Sequence, residues 1–164
     1  MIERRTIHAS CAALGEEAVI LTGAPGSGKS DLLLRLIDAG FDLVADDRII
    51  LENGLASVPD SIAGLMEIRG VGIVRLPHRA SPVRVRLHVA LSSSPDSTRL
   101  PTEQRHPESG VVSINLDPRH AGAVAIIRTT LRCLSNCEAS CGHELLTGAN
   151  GDNSASTPFP PVTE

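Results

Sequence analysis

Gly23-Ala24-Pro25-Gly26-Ser27-Gly28-Lys29-Ser30 decides how this chain is read. It fits the pattern G-x-x-x-x-G-K-[ST] at every constrained position. Composition alone yields such a match on the order of once in two hundred chains of this length, so the flanks carry the weight. Glu17 to Thr22 is a short apolar run, the pattern of a buried strand. Residues 29–39 place Leu32, Leu33, Leu36 and Ile37 on one helical stripe, and Gly40 stops the helix. A glycine-rich turn between strand and helix lets backbone N–H groups surround a polyphosphate. The helix start adds its positive dipole end. Lys29 is positioned to reach the β- and γ-phosphates, and the Ser30 hydroxyl to ligate Mg2+. The plainer alternative is a structural glycine turn.

The basic residues favour the phosphate reading. Lys29 is the single lysine among 15 basic residues, the other 14 being arginine. A GC-rich genome explains the arginines but not the place of the one lysine. A compact ammonium is needed there, and a guanidinium fork replaces it poorly.

A phosphate loop needs an acid at the end of a neighbouring strand. Phe41 to Ala45 reads as that strand and ends in Asp46-Asp47. Carboxylates there hold Mg2+ or accept a proton from an attacking hydroxyl. The strand alternates faces, so one of the pair is expected to face the phosphate. A solvated Asp-Asp turn is the alternative. Met66-Glu67-Ile68-Arg69-Gly70-Val71-Gly72-Ile73-Val74 sets one acid and one base among apolar residues, which allows a buried Glu–Arg pair or close backbone packing.

The rest of the chain reads as a mixed sheet with few helices and a βαβ start. Asn53-Gly54 between Ile49–Glu52 and Leu55–Val58 signals a hairpin. Residues 83–91 alternate, with Val83, Val85, Leu87 and Val89 on one face and Arg84, Arg86 and His88 on the other, as in a half-exposed strand. Residues 92–110 read as a long loop without a core, and Val111–Leu116 as a strand. Asp117-Pro118 reads as a helix N-cap with proline at the first helical position. Cys133, Cys137 and Cys141 recur every four residues, a stripe on a helical face and not a zinc spacing. From Thr147 the chain has little to bury, so a folded domain at 1–146 and a disordered tail at 147–164 are expected.

The 164 residues make one domain, with a net charge of -4. That charge argues against nucleic acid or a membrane surface as partner. No apolar run approaches a bilayer span, and the first residues lack a signal-peptide core, so a cytoplasmic protein is expected.

The phosphate loop, Leu43-Val44-Ala45-Asp46-Asp47-Arg48 and Glu67-Ile68-Arg69-Gly70-Val71-Gly72-Ile73 occur in that order. Together they resemble the catalytic domain of HPr kinase/phosphorylase, over roughly residues 5–135, without that family's separate N-terminal domain. The resemblance implies an α/β P-loop kinase fold with a mixed β-sheet, similar to HPr kinase and PEP carboxykinase. It implies phosphorylation of a serine of the phosphocarrier HPr with ATP and Mg2+, and in many members removal of that phosphate by inorganic phosphate. It implies a homo-oligomer, a hexamer in the family.

By that resemblance His8 lies near the active acid, and Lys29 and Ser30 are the loop lysine and the Mg2+-binding serine. Asp46 and Asp47 are the acidic pair, one of them the general base, and Glu67 is a Mg2+ ligand. Arg99 matches an active-site arginine on a loop, with Arg105 the alternative. Two segments depart from the family pattern. Val74 is followed by Arg75 where an acid is usual. In Asp117-Pro118-Arg119-His120-Ala121-Gly122 the arginines do not line up with the segment tied to dephosphorylation. A small-molecule P-loop kinase and a non-catalytic ATP-sensing module are the competing functions; transfer from labelled ATP to HPr separates all three.

Overall fold

The apolar run at Glu17–Thr22 forms a strand, β3, at the heart of a nine-stranded mixed sheet. A computed structural model describes residues 4–93, 104–107 and 109–140. Before β3 come β1 (Arg4–Ile7) and β2 (Ser10–Leu14); after it come helix α1 (Lys29–Asp38), β4 (Asp42–Ala45), β5 (Ile49–Glu52) and β6 (Leu55–Ser57). A small separate hairpin follows, β7 (Leu65–Ile68) with β8 (Gly72–Arg75). The long β9 (Val83–Leu91), the short β10 (Gln104–Arg105), β11 (Val112–Leu116) and helix α2 (Ala123–Ser140) complete the chain. The main sheet runs β1-β5-β6-β9-β3-β2-β4, with β11 also beside β9 and β10 beyond it. The fold is the α/β mixed sheet with few helices that the sequence implies.

The helix α1 follows its sequence closely. Leu32, Leu33 and Leu36 are fully buried. Its end is closed by backbone bonds from Gly40 N–H to Ile37 O and from Phe41 N–H to Leu36 O, with Gly40 at φ +95°. That is the left-handed stop that a glycine takes without steric cost. Alternation sorts the sheet residues into two cores. Ala12, Val19 and Leu21 face the helices, whereas Cys11, Ala13, Ala18 and Ile20 fill the opposite side. Burial pushes the Cys11 thiol pKa up, so it stays protonated there.

The structure corrects several expectations. The strand after α1 does not pair with β3; β2 lies between them, antiparallel to both, so the parallel pair is split. Neither β1 nor β2 was expected. The first is short and polar, and the second is alanine-rich, a composition depleted in strands.

The expected single apolar face of 83–91 is broken by a β-bulge. Ala18 pairs with Val85 but Val19 pairs with Leu87, so Arg86 is the extra residue. Val83 and Val85 therefore enter one core while Leu87 and Val89 enter the other. His88 is buried instead of solvent-facing, because β9 is central and covered on both sides.

The helix expected at Pro118 begins only at Ala123, and Asp117 binds Arg119 instead of capping. Part of the expected 92–110 loop is β10, with His106 buried beside it. Residues 94–103, and the tail from Thr147, lie outside the described residues. No helix among the described residues is long and apolar enough to cross a membrane.

Candidate active site

The phosphate loop leaves β3 at Gly23 and enters α1 at Lys29. Gly28 is the cap of α1, at φ +97°, and offers no side chain to the first-turn N–H groups. Those donors remain for an anion. Gly28 is also tightly approached: a Cβ there would stand 3.2 Å from Pro118 Cγ. Gly23 is closed in the same way, since a Cβ would lie 2.5 Å from Ser27 Oγ. Lys29 Nζ donates to Gly23 O at 2.9 Å and to Ala24 O at 3.2 Å. An ammonium has three donors, so these bonds fix its place and leave capacity for a phosphate.

The two acids take different directions. Asp46 is buried and accepts from Ser10 Oγ at 2.8 Å and from Ser30 Oγ at 3.1 Å, both on Oδ1. Asp47 sits at the centre of a three-residue turn, with Arg48 N–H donating to Asp46 O at 3.0 Å. Its φ is +74°, a conformation that costs a non-glycine residue roughly 1–3 kcal/mol. This turn throws the Asp47 carboxylate outward, 3.1 Å from His8 Nδ1.

A cleft of about 1000 Å³ joins these parts. Its lining includes residues 24–30 of the loop, and also His8, Asp47 and Glu67. His8, Lys29, Ser30, Asp47 and Glu67 are thus brought together, and Asp46 reaches the cleft through Ser30. Glu67 and Arg69 are exposed, which rules out the buried pair.

Arg99 lies outside the described residues. Arg105 is directed elsewhere: Nη1 donates to Gly110 O at 3.0 Å, and the residue lines a smaller cleft with Gly54 and Arg84. Sequence reasoning missed Ser10, which no motif marks; Asp117-Pro118-Arg119, set apart in the sequence as a helix cap and by the family resemblance, lines the cleft beside the loop. There Arg119 binds the Asp117 carboxylate through its guanidinium and backbone N–H, holding that carboxyl below the ordinary range.

The oxygen donors fit Mg2+. Ser30 donates its proton to Asp46, so its oxygen lone pairs remain for a cation. Mg2+ is commonly held by one or two protein oxygens plus substrate phosphates, and Ser30 and Glu67, which line the same cleft, would supply such a set. Among the described residues no three His, Cys, Asp or Glu side chains gather to cage a metal. Cys133 is half-buried on α2, and the rest of the thiol stripe lies outside the described side chains.

Behind the loop, His88 ties three strands together. Its Nε2 lies 2.6 Å from Thr22 Oγ1 and its Nδ1 2.6 Å from Ser113 Oγ. The His106 ring lies 4.2 Å away, centroid to centroid. Burial, then the His106 charge, lowers the His88 pKa to about 4.

Comparison with known proteins places this geometry. The family described as HPr Serine kinase C-terminal domain matches residues 1–92. The HPr kinase/phosphorylase of Lactobacillus acidophilus is 37% identical over 79 residues, covering 45% of this chain and 24% of that protein. The HPr kinase/phosphorylase of Pediococcus pentosaceus is 33% identical over 97 residues, covering 56% of this chain and 31% of that protein. The chain thus spans about a quarter to a third of the length of these curated relatives. Among solved structures, the Hpr(Ser) kinase/phosphatase from Coxiella burnetii superposes with a TM-score of 0.70 at 27% identity, covering 83% of this chain and 99% of that one.

Proposed function

The chain belongs to the HPr Serine kinase C-terminal domain family, and from that premise we propose that it transfers the γ-phosphoryl group of ATP to a serine of HPr. The observation that carries this reading is the His8–Asp47 pair, set on a strained turn and sharing one cleft with the phosphate loop.

In this reading residues 23–30 bind the triphosphate through backbone N–H groups and the uncapped first turn of α1. Lys29 offsets charge on the γ-phosphoryl oxygens. Asp47 accepts the serine proton as the hydroxyl oxygen bonds to phosphorus and the bond to ADP breaks. His8 orients the Asp47 carboxylate. Asp46 does not reach the acceptor; it fixes Ser30. Mg2+, held by Ser30 and Glu67, supplies further charge neutralisation when bound. Aspartate is a weak base at neutral pH, but a loose transition state lets bond cleavage lead and proton transfer follow. Asp47 returns the proton when inorganic phosphate takes the group back as pyrophosphate.

The test is incubation with γ-labelled ATP and purified HPr. Label is expected on HPr and absent when its acceptor serine is alanine. A small-molecule kinase would leave HPr unlabelled while consuming ATP with another acceptor. A sensing module would bind ATP and transfer nothing.

A further inference from the structure

The hairpin that delivers Glu67 to the cleft also carries exposed aliphatic side chains that the reaction does not use. The register pairs Met66 with Val74 and Glu67 with Ile73. Met66, Ile68 and Val74 pack into the core beneath α1. The alternate face carries Glu67 and Ile73 outward. At the tip, Val71 N–H donates to Ile68 O at 2.9 Å, and Gly70 takes φ +83°, so the turn is tight and presents Val71 to solvent. Val71 is 72% exposed and Ile73 74%, against 39% for Leu55 and 38% for Ile126. Among the described residues these two are the large aliphatic side chains that the fold leaves most open.

We propose that Val71 and Ile73 form the apolar docking patch for the acceptor protein, gripping non-polar side chains that flank its serine; this rests on the HPr-kinase reading above. Three observations select that occupant. The patch borders the cleft: Ile73 stands directly opposite Glu67, which lines it, and paired side chains lie about 5 Å apart. It is rigidly held, since the inner face of the same hairpin is anchored in the core. It is also small. Two side chains fall far short of the roughly 800 Å² per partner that a stable complex buries, whereas a brief enzyme–substrate encounter needs less. A patch beside the reacting groups places the serine segment while leaving product free to depart.

The test measures HPr phosphorylation by the full chain carrying Val71→Asp, Ile73→Asp or both, with Ile73→Val as the conservative control. Both positions are exposed, so melting temperatures should match the unsubstituted protein. The expected result is a loss of at least tenfold in kcat/KM for HPr, mostly in KM, with the ATP dissociation constant unchanged and Ile73→Val within twofold. Charged variants within twofold would overturn the docking role while leaving the kinase reading intact. Equal loss of ATP affinity would also overturn it, because the hairpin would then serve the nucleotide. So would a drop in solution mass with unchanged transfer, which would mark a contact between copies. If the unsubstituted protein transfers nothing to HPr, the kinase reading fails and the docking role fails with it.

Discussion

His8 Nδ1 and Asp47 Oδ1 lie 3.1 Å apart, although the two residues belong to segments separated by the phosphate loop, α1 and β4. The contact exists because β1 pairs with β5, whose first residue, Ile49, sits opposite Ile7. That register delivers His8 to the turn at Asp47. The imidazole can hold one carboxylate oxygen and leave the other for an acceptor hydroxyl.

Asp47→Asn should lower phosphoryl transfer by about a hundredfold to ten-thousandfold while ATP still binds. His8→Ala should cost less, on the order of tenfold, because it loosens the carboxylate without removing it. Steady-state rates with ATP and HPr, alongside nucleotide titration, check both. Full activity in Asp47→Asn would remove the base assignment.

Asp46 acts through Ser10 and Ser30. Asp46→Ala leaves both hydroxyls without their acceptor, a loss of about 1–3 kcal/mol for a buried polar group. Denaturant unfolding should register that loss, and the Mg2+ concentration for half-maximal rate should rise as Ser30 loses its orientation. Asp46→Asn keeps an acceptor oxygen and should fall between.

Two loop glycines make a paired comparison. Gly28→Ala meets both a left-handed φ and Pro118 at 3.2 Å, whereas Gly26→Ala, at φ +76°, meets nothing within 4 Å. Backbone strain alone costs about 1–2 kcal/mol. Gly28→Ala should therefore destabilise more than Gly26→Ala, and nucleotide affinity should fall further with it. Equal melting temperatures would refute the role of Pro118.

His88 predicts an acid sensitivity. Its pKa is about 4 in the fold against 6.5 ordinarily, so between those values the unfolded chain binds the extra proton. Stability should rise with pH across that window and be lost as pH falls from about 6.5 toward 4. His88→Gln should flatten this dependence, a change on the order of 3 kcal/mol in the unfolding free energy at the acid end. Urea unfolding at several pH values gives the slope.

The phosphate loop and α1 were legible because their constraints are local: glycine where φ is positive, leucine on one stripe. The acidic pair was legible as a pair, but its division of labour was not. That division depends on a three-residue turn at Asp47 and on Ser10, whose partner is 36 residues away. The β9 bulge escaped period-two reading because one extra residue, Arg86, reverses the phase midway. The Asp117-Pro118 motif read as a cap, yet tertiary contact with Gly28 and pairing with Arg119 won over the local helix signal.

Because β2 is wedged between β3 and β4, the phosphate loop and Asp47 hang from opposite edges of one strand. Two ladder spacings of about 4.8 Å make that strand a fixed gauge between them. Stretching it would require breaking main-chain bonds, so the separation of the two half-sites is machined into the scaffold. Any change in the width of the cleft must come from the Glu67 hairpin or the Arg119 rim, the jaws that this gauge does not span.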